Sequence, residues 1–311
     1  MGGDKLVEDA REDYSPIGQA LELEELDVDL YRSKNLWKPL YSRGVYGGQV
    51  MGLALKAAVN TVPEKFHVHS YHSYFLLAGD SSIPIVFHVR RVRDGKSYAT
   101  RSIDGRQHGR SIFTMVASFH VPEQSSLVHQ VPMPKVPPPE ELKSVEQRLR
   151  EWLKDPLVSK YHRSIQLRLE QPIHADTRPV PHKLLGLGPN DPVQMIWMKV
   201  KGPIPSNTAF HHCVAAFCSD HELLNTSLIP HGLAKYGEHR LLTMITSLDH
   251  AIWFHEPYRT DEWLLYVMES PKSNSGRGFA TGRVYTRDGR LVISVAQEGV
   301  IRYTEKKQAM L

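Results

Sequence analysis

Toward the end of the chain, Leu291, Ile293 and Val295 recur at every second position, the period of a strand with one buried face. The next residue on that face is Gln297, within "SVAQEGVIR" (294–302). A primary amide carries two donors and two acceptor lone pairs, so the pattern predicts a strand that aims an unusual polar group at the core. Ile165, Leu167 and Leu169 alternate in "SIQLRLEQ" (164–171) and predict a strand there, and "VQMIWMKV" (193–200) predicts another. Two stretches read differently. "GGQVMGLALKAAVN" (47–60) follows a glycine pair and is apolar nearly all round, the mark of a buried helix, and "AFHHCVAAFCSDHELLN" (209–225) reads the same way.

These elements recur in order. A Pro-rich stretch, "VPMPKVPPPEEL" (131–142), divides the chain, and the charged segment after it, to about Lys160, predicts a linker helix. Residues 72–121 and 250–301 each run through a His with aromatics, an Asp-containing turn, a strand, a polar turn, "ATR" or "ATG", a Gly-Arg turn and a last strand. Each half thus predicts a strand, a buried helix and several long antiparallel strands. A helix that is hydrophobic on every side needs a sheet wrapped around it, which is the hotdog layout. The expected fold class is α+β, a double hotdog. The expected domains are an N-terminal tail (1–17), an N-terminal hotdog (18–122), a linker with a helix (123–163), a C-terminal hotdog with the candidate catalytic residues (164–304) and a C-terminal tail (305–311). Aligning Gly109-Arg110 with Gly289-Arg290 sets Ala117 against Gln297. The fold therefore does not require the amide, and Gln297 marks a task of the second half alone.

Composition narrows the task. Of the 311 residues 41% are hydrophobic and 23% charged, as in ordinary globular chains, and no apolar run approaches the roughly 20 residues that span a bilayer. The start, "MGGDKLVEDAREDYS", has no hydrophobic signal core. Cys213 and Cys218 are the only cysteines, which excludes a disulfide scaffold and suits a reducing compartment. The net charge of +4 is spread along the chain rather than gathered in a basic block, which argues against nucleic acid.

Other polar residues share Gln297's position on an apolar face. Cys213, Ala216, Phe217, Asp220 and Leu224 follow helical spacing, so Asp220 interrupts an apolar stripe. Asp220 reads either as a cap near the helix end or as a carboxylate in a semi-dry site, its pKa raised by desolvation, that takes a proton from water. "TSLDHAIWFHEP" (246–257) adds Ser247, Asp249, His250 and His255, whose ordinary readings are a turn residue, packing and surface.

"RGVYGGQVMGLALKAA" (43–58), "HSYHSYFLLAGD" (69–80), "CSDHELL" (218–224), "PHG" (230–232), "SLDHAIWFHEPYR" (247–259) and "VAQEGVIR" (295–302) resemble the signature blocks of the acyl-CoA thioesterase II family, in order, from about residue 18 to 304. The resemblance implies an acyl-CoA substrate, no cofactor, and an attacking water held jointly by Asp220, Ser247 and Gln297. It gives Asp249 and His250 no agreed role. The oxyanion is expected at the N-terminus of a buried helix, with Gly47-Gly48 the candidate. Exposed Arg91, Arg93, Lys96 and Arg277 lie near predicted turns where CoA phosphates could bind, or are solvated surface charge. His67, His69 and His72 lie close together, but no H-E-x-x-H or Cys pairing accompanies them, so no metal is expected. No G-x-S-x-G occurs, which disfavours a serine hydrolase. The rival readings are a hotdog hydratase using His250 with Asp249, though adjacent strand residues face opposite ways, and a non-catalytic acyl-CoA-binding scaffold. The chain ends in Ala309-Met310-Leu311, which matches the Ser-Lys-Leu peroxisomal address only at its small first residue and final Leu. The expected location is the peroxisomal matrix through an import receptor, with the cytosol as alternative. Further pairing of copies through their sheets, a homo-oligomer, is compatible with the architecture.

Overall fold

The computed structural model describes residues 15–40, 42–172, 174–233 and 242–304. A short helix α1 (Pro16–Ala20) leads into strands β1 (Leu23–Asp27) and β2 (Leu30–Ser33), helix α2 (Gly47–Val59), and strands β3 (His67–Phe75), β4 (Val86–Asp94), β5 (Tyr98–Gln107) and β6 (Arg110–His120). The linker carries helices α3 (Val145–Trp152) and α4 (His162–Leu169). The second half repeats the first with β7 (Ala175–Pro179), β8 (Val193–Val200), helix α5 (Thr208–Ser219), β9 (Leu242–Ser247) and β10 (Asp249–Phe254), which together answer to β3, then β11 (Leu264–Asn274), β12 (Arg277–Thr286) and β13 (Leu291–Tyr303).

All the strands join one sheet in the order β1-β2-β4-β5-β6-β3-β10-β13-β12-β11-β8-β7, with β9 paired to β13. The order reads the same from both ends once each strand is matched to its repeat, so the halves meet as a pseudo-twofold pair at the antiparallel β3–β10 junction, where Tyr71 opposes Ile252. This is the double hotdog that the hydrophobic pattern predicts.

Some expectations need correction. Residues 164–171 do not form a strand, because helix α4 runs through to Leu169; Ile165 is buried while Gln166 points to solvent, and the Gln, Leu and Arg of this segment are good helix formers. The strand that opens the second half is β7. Helix α5 also stops at Ser219 rather than running to Asn225, because Asp220 caps it and a 3-10 helix (Leu224–His231) follows. Ile17, placed in the tail by its sequence position, is buried in the main core.

The continuous apolar run of β8 is explained by burial on both faces. Ile196 and Met198 face the main core, while Met195 and Trp197 face a second cluster completed by Leu265, Val267 and Tyr285. The Pro-rich linker closes that cluster with Met133 and Val136, and Trp197 Nε1 donates to the Pro137 carbonyl at 2.9 Å.

Inside the sheet, α2 and α5 press against each other at glycines. A Cβ on Gly48 would lie 2.2 Å from the Phe217 carbonyl oxygen, and one on Gly52 would lie 2.9 Å from that of Cys213. The apolar-all-round character of both helices follows, since each is covered by its partner helix and by sheet. Because Gly52 makes this approach away from any polar side chain, Gly52→Ala should force the helices apart and lower stability by about 1–3 kcal/mol, as overpacked cores do. Urea unfolding of the two proteins measures it; an unchanged midpoint would mean that the helix pair tolerates the separation.

Candidate active site

Three of the singled-out residues come together where the C-terminus of α5 meets the N-terminus of α2. Asp220 occupies the C-cap of α5. Its Oδ2 accepts from Gly48 N–H at 3.0 Å, and its Oδ1 accepts from Gln297 Nε2 at 2.8 Å. The same nitrogen donates to Ser247 Oγ at 2.7 Å. Gln297 is fully buried on the inner face of β13, the position that the strand period assigned to it. Its two N–H groups thus bind Asp220 and Ser247 together, which leaves the Ser247 proton and the remaining carboxylate lone pairs for a third molecule.

Ser247 reaches this point through a bulge. From β9 to β10 the pairing with β13 slips by one residue: Gly299 faces Ser247, yet Ala296 faces Ala251, so Glu298 is opposed by both Leu248 and Asp249. The Asp249 side chain holds the bulge by accepting from Glu298 N–H at 2.7 Å. One inserted residue reverses the facing of everything before it, so Ser247 and His250 both point inward. Simple alternation could not have placed Ser247, which is why its sequence reading was that of a turn residue.

The remaining candidates do other work. His250 is fully buried, with Nε2 2.9 Å from Ser219 Oγ, and burial lowers its pKa to about 3. Asp249 is engaged at the bulge while His250 faces the core, so the two share no site, which weighs against the hydratase reading. His255 bonds Ser294 Oγ at the surface. Arg91 pairs with Asp29 and Arg277 with Glu298. Among the described residues no three His, Cys, Asp or Glu side chains converge to hold a metal. Both cysteine thiols are pushed up to about 12 by burial, which keeps them from acting as nucleophiles.

Gly48 N–H, expected at the oxyanion, is instead committed to the carboxylate. Sequence reading marked the glycine pair but not this role, which depends on the packing of α2 on α5. The Ser219 contact with His250 carried no sequence signal at all.

Burial raises the Asp220 pKa above the ordinary carboxylate range, and the hydrogen bonds from Gln297 and then Gly48 pull it partly back. The result is a carboxylate that binds protons more tightly than a free one while its two neutral donors fix its orientation.

Comparison with known proteins accounts for nearly the whole chain. Residues 167–300 match the acyl-CoA thioesterase family and residues 36–120 match the acyl-CoA thioesterase N-terminal domain. Mouse acyl-coenzyme A thioesterase 8 is 43% identical over 92% of this chain and 88% of its own length. The peroxisomal acyl-coenzyme A thioester hydrolase 1 of Saccharomyces cerevisiae is 26% identical over 94% of this chain and 96% of its own. The crystal structure of an acyl-CoA thioesterase II from Mycobacterium marinum superposes with a TM-score of 0.75 at 36% identity, covering 93% of this chain and 99% of that one.

The arrangement predicts a titration. Carboxyl 13C shifts followed against pH should place Asp220 above the ordinary aspartate value of about 3.9, and Gln297→Leu, which deletes the stronger donor, should move it higher still. A downward move in the variant would show that Gln297 does not stabilise the anion.

Proposed function

This chain belongs to the acyl-CoA thioesterase II family and hydrolyses acyl-CoA thioesters, and we propose that it does so by direct attack of water activated by Asp220. The observation that carries this reading is the shared amide: Gln297 Nε2 holds Asp220 Oδ1 and Ser247 Oγ at 2.8 and 2.7 Å, so carboxylate and hydroxyl face one small volume. A water there gives one proton to Asp220 as its oxygen adds to the thioester carbonyl carbon. The tetrahedral oxyanion collapses, the C–S bond breaks, and the departing CoA thiolate takes the proton back from Asp220. Free acid and CoA leave, with no covalent enzyme intermediate. With Gly48 N–H committed to Asp220, the oxyanion falls to the neighbouring Gly47 N–H, at the positive end of α2.

Release of CoA thiol from a panel of acyl-CoAs tests these roles. Asp220→Asn should lower kcat about 100- to 10,000-fold, the usual worth of a general base, with far-UV circular dichroism unchanged. Native turnover should fall as pH drops through the raised Asp220 pKa, because only the anion accepts the proton. Full activity in folded Asp220→Asn would exclude the mechanism.

The same reading extends to location. One of the relatives is by name a peroxisomal enzyme, and the terminal Ala309-Met310-Leu311, which lies outside the described residues, keeps the small residue and the Leu of the import signal. We infer that the protein works in the peroxisome. A fluorescent fusion that leaves this C-terminus free should enter peroxisomes, and deletion of the last three residues should return it to the cytosol; identical distributions would refute the signal.

A further inference from the structure

Two neighbouring buried atoms beside the site have no partner among the described residues: Gln297 Oε1 and His250 Nδ1. Both side chains are wholly inaccessible to solvent. They project inward from adjoining strands, one step beyond the Ala251–Ala296 pair, which makes them cross-strand neighbours. Gln297 also acts on the ring as an acceptor, favouring its proton against the effect of burial.

Proton counting settles how the two can coexist. A neutral imidazole has one N–H and one lone pair. If Nε2 carries the proton, it donates to Ser219 Oγ, the Ser219 hydroxyl donates to Ala216 O at 3.0 Å, and the Nδ1 lone pair is left against the lone pairs of Gln297 Oε1. Two buried acceptors then oppose each other unpaired. If Nδ1 carries the proton, it donates to Oε1, and the single Ser219 proton turns from Ala216 O to Nε2, so that no two lone pairs face each other.

The two halves of the chain support this pairing. Ala117 stands where Gln297 stands in the second half, and its cross-strand partner is Tyr71, not a histidine. Where the amide is absent, the imidazole is absent too.

We infer that His250 is the Nδ1–H tautomer and acts as the positioning residue that fixes which way the Gln297 amide faces. This rests on the proposed role of Gln297 as the donor to Asp220. The chain of bonds runs one way, from Ser219 to His250 to Gln297 to Asp220 and Ser247. Without it the amide could turn over and set its oxygen against the carboxylate that it should hold.

Nitrogen-15 spectra of histidine-labelled native protein, with the His250 signals identified by their loss in His250→Asn, should show protonated Nδ1 and bare Nε2. A protonated Nε2 would overturn the inference whatever the variants do. In thiol-release assays His250→Leu should lower kcat about 100-fold, the cost of small misplacement, with KM changed by no more than about twofold. His250→Asn, whose amide N–H can replace Nδ1–H, should recover most of the loss. Native turnover in a folded Leu variant, or equal losses in the Leu and Asn variants, would overturn it. Full activity in Gln297→Ala, with His250 Nδ1-protonated in the native protein, would instead count against the proposed role of Gln297 and leave the tautomer standing.

Discussion

Helices α2 and α5 touch backbone to backbone at Gly48 and Gly52, and this contact decides where a carboxylate can be tolerated. Asp220 caps the C-terminus of α5, where the dipole of its own helix opposes negative charge. The N-terminus of α2 brings the opposite dipole end and a free amide to the same place, and Gly48 N–H meets Oδ2 at 3.0 Å. A side chain at Gly48 would hold the helices apart and remove the donor. The sheet, by wrapping both helices, keeps the pair from separating.

The pseudo-twofold symmetry supplies two such places, and the sequence equips only one. Asn60 caps α2 as Asp220 caps α5. The register of β3 on β6, bulge included, sets Val68, Tyr71 and Ala117 where the second half has Ser247, His250 and Gln297. The apolar Val68 and Ala117 cannot hold a water. The asymmetry extends outward: Arg101, fully buried and bonded to Thr61 and Asp94, stands opposite Ala117, whereas Ala280 stands opposite Gln297. A Cβ at Gly282 would lie 2.4 Å from the Tyr266 ring, and the ring placed there lets Tyr266 OH donate to Ser219 O at 2.8 Å, securing the last turn before Asp220. The first half thus serves as scaffold and donor of the α2 amide, the second as carrier of the reactive groups.

Much of this was legible in the chain because it rests on local periodicity. Two all-round apolar helices, the repeat and the inward Gln297 are each consequences of spacing, and they fix the double hotdog and the asymmetry between its halves. What escaped depends on departures from spacing. The bulge at Asp249 reverses the facing of Ser247, and only the family resemblance pointed to that residue. Alternation of Ile165, Leu167 and Leu169 suggested a strand where α4 forms, since Ile165 and Leu169 also share a helix face. The Gly48 bond to Asp220 spans 172 positions and follows from helix packing alone.

The partners of Asp220 are neutral, and that choice bears on the chemistry. A cation beside the carboxylate would fix its orientation equally well but would lower its pKa by about 1–3 units and with it the basicity needed to take a proton from water. An amide side chain and a backbone N–H orient the anion while burial keeps its pKa raised. The remaining demand is that the Gln297 amide present nitrogen, not oxygen, to Asp220. A buried amide has no intrinsic preference between its two faces, so the surrounding groups must impose one. Ser247 offers an oxygen that can accept or donate and so cannot impose it alone. The group on the other side of the amide must therefore be a donor, and the side chain that stands there is His250.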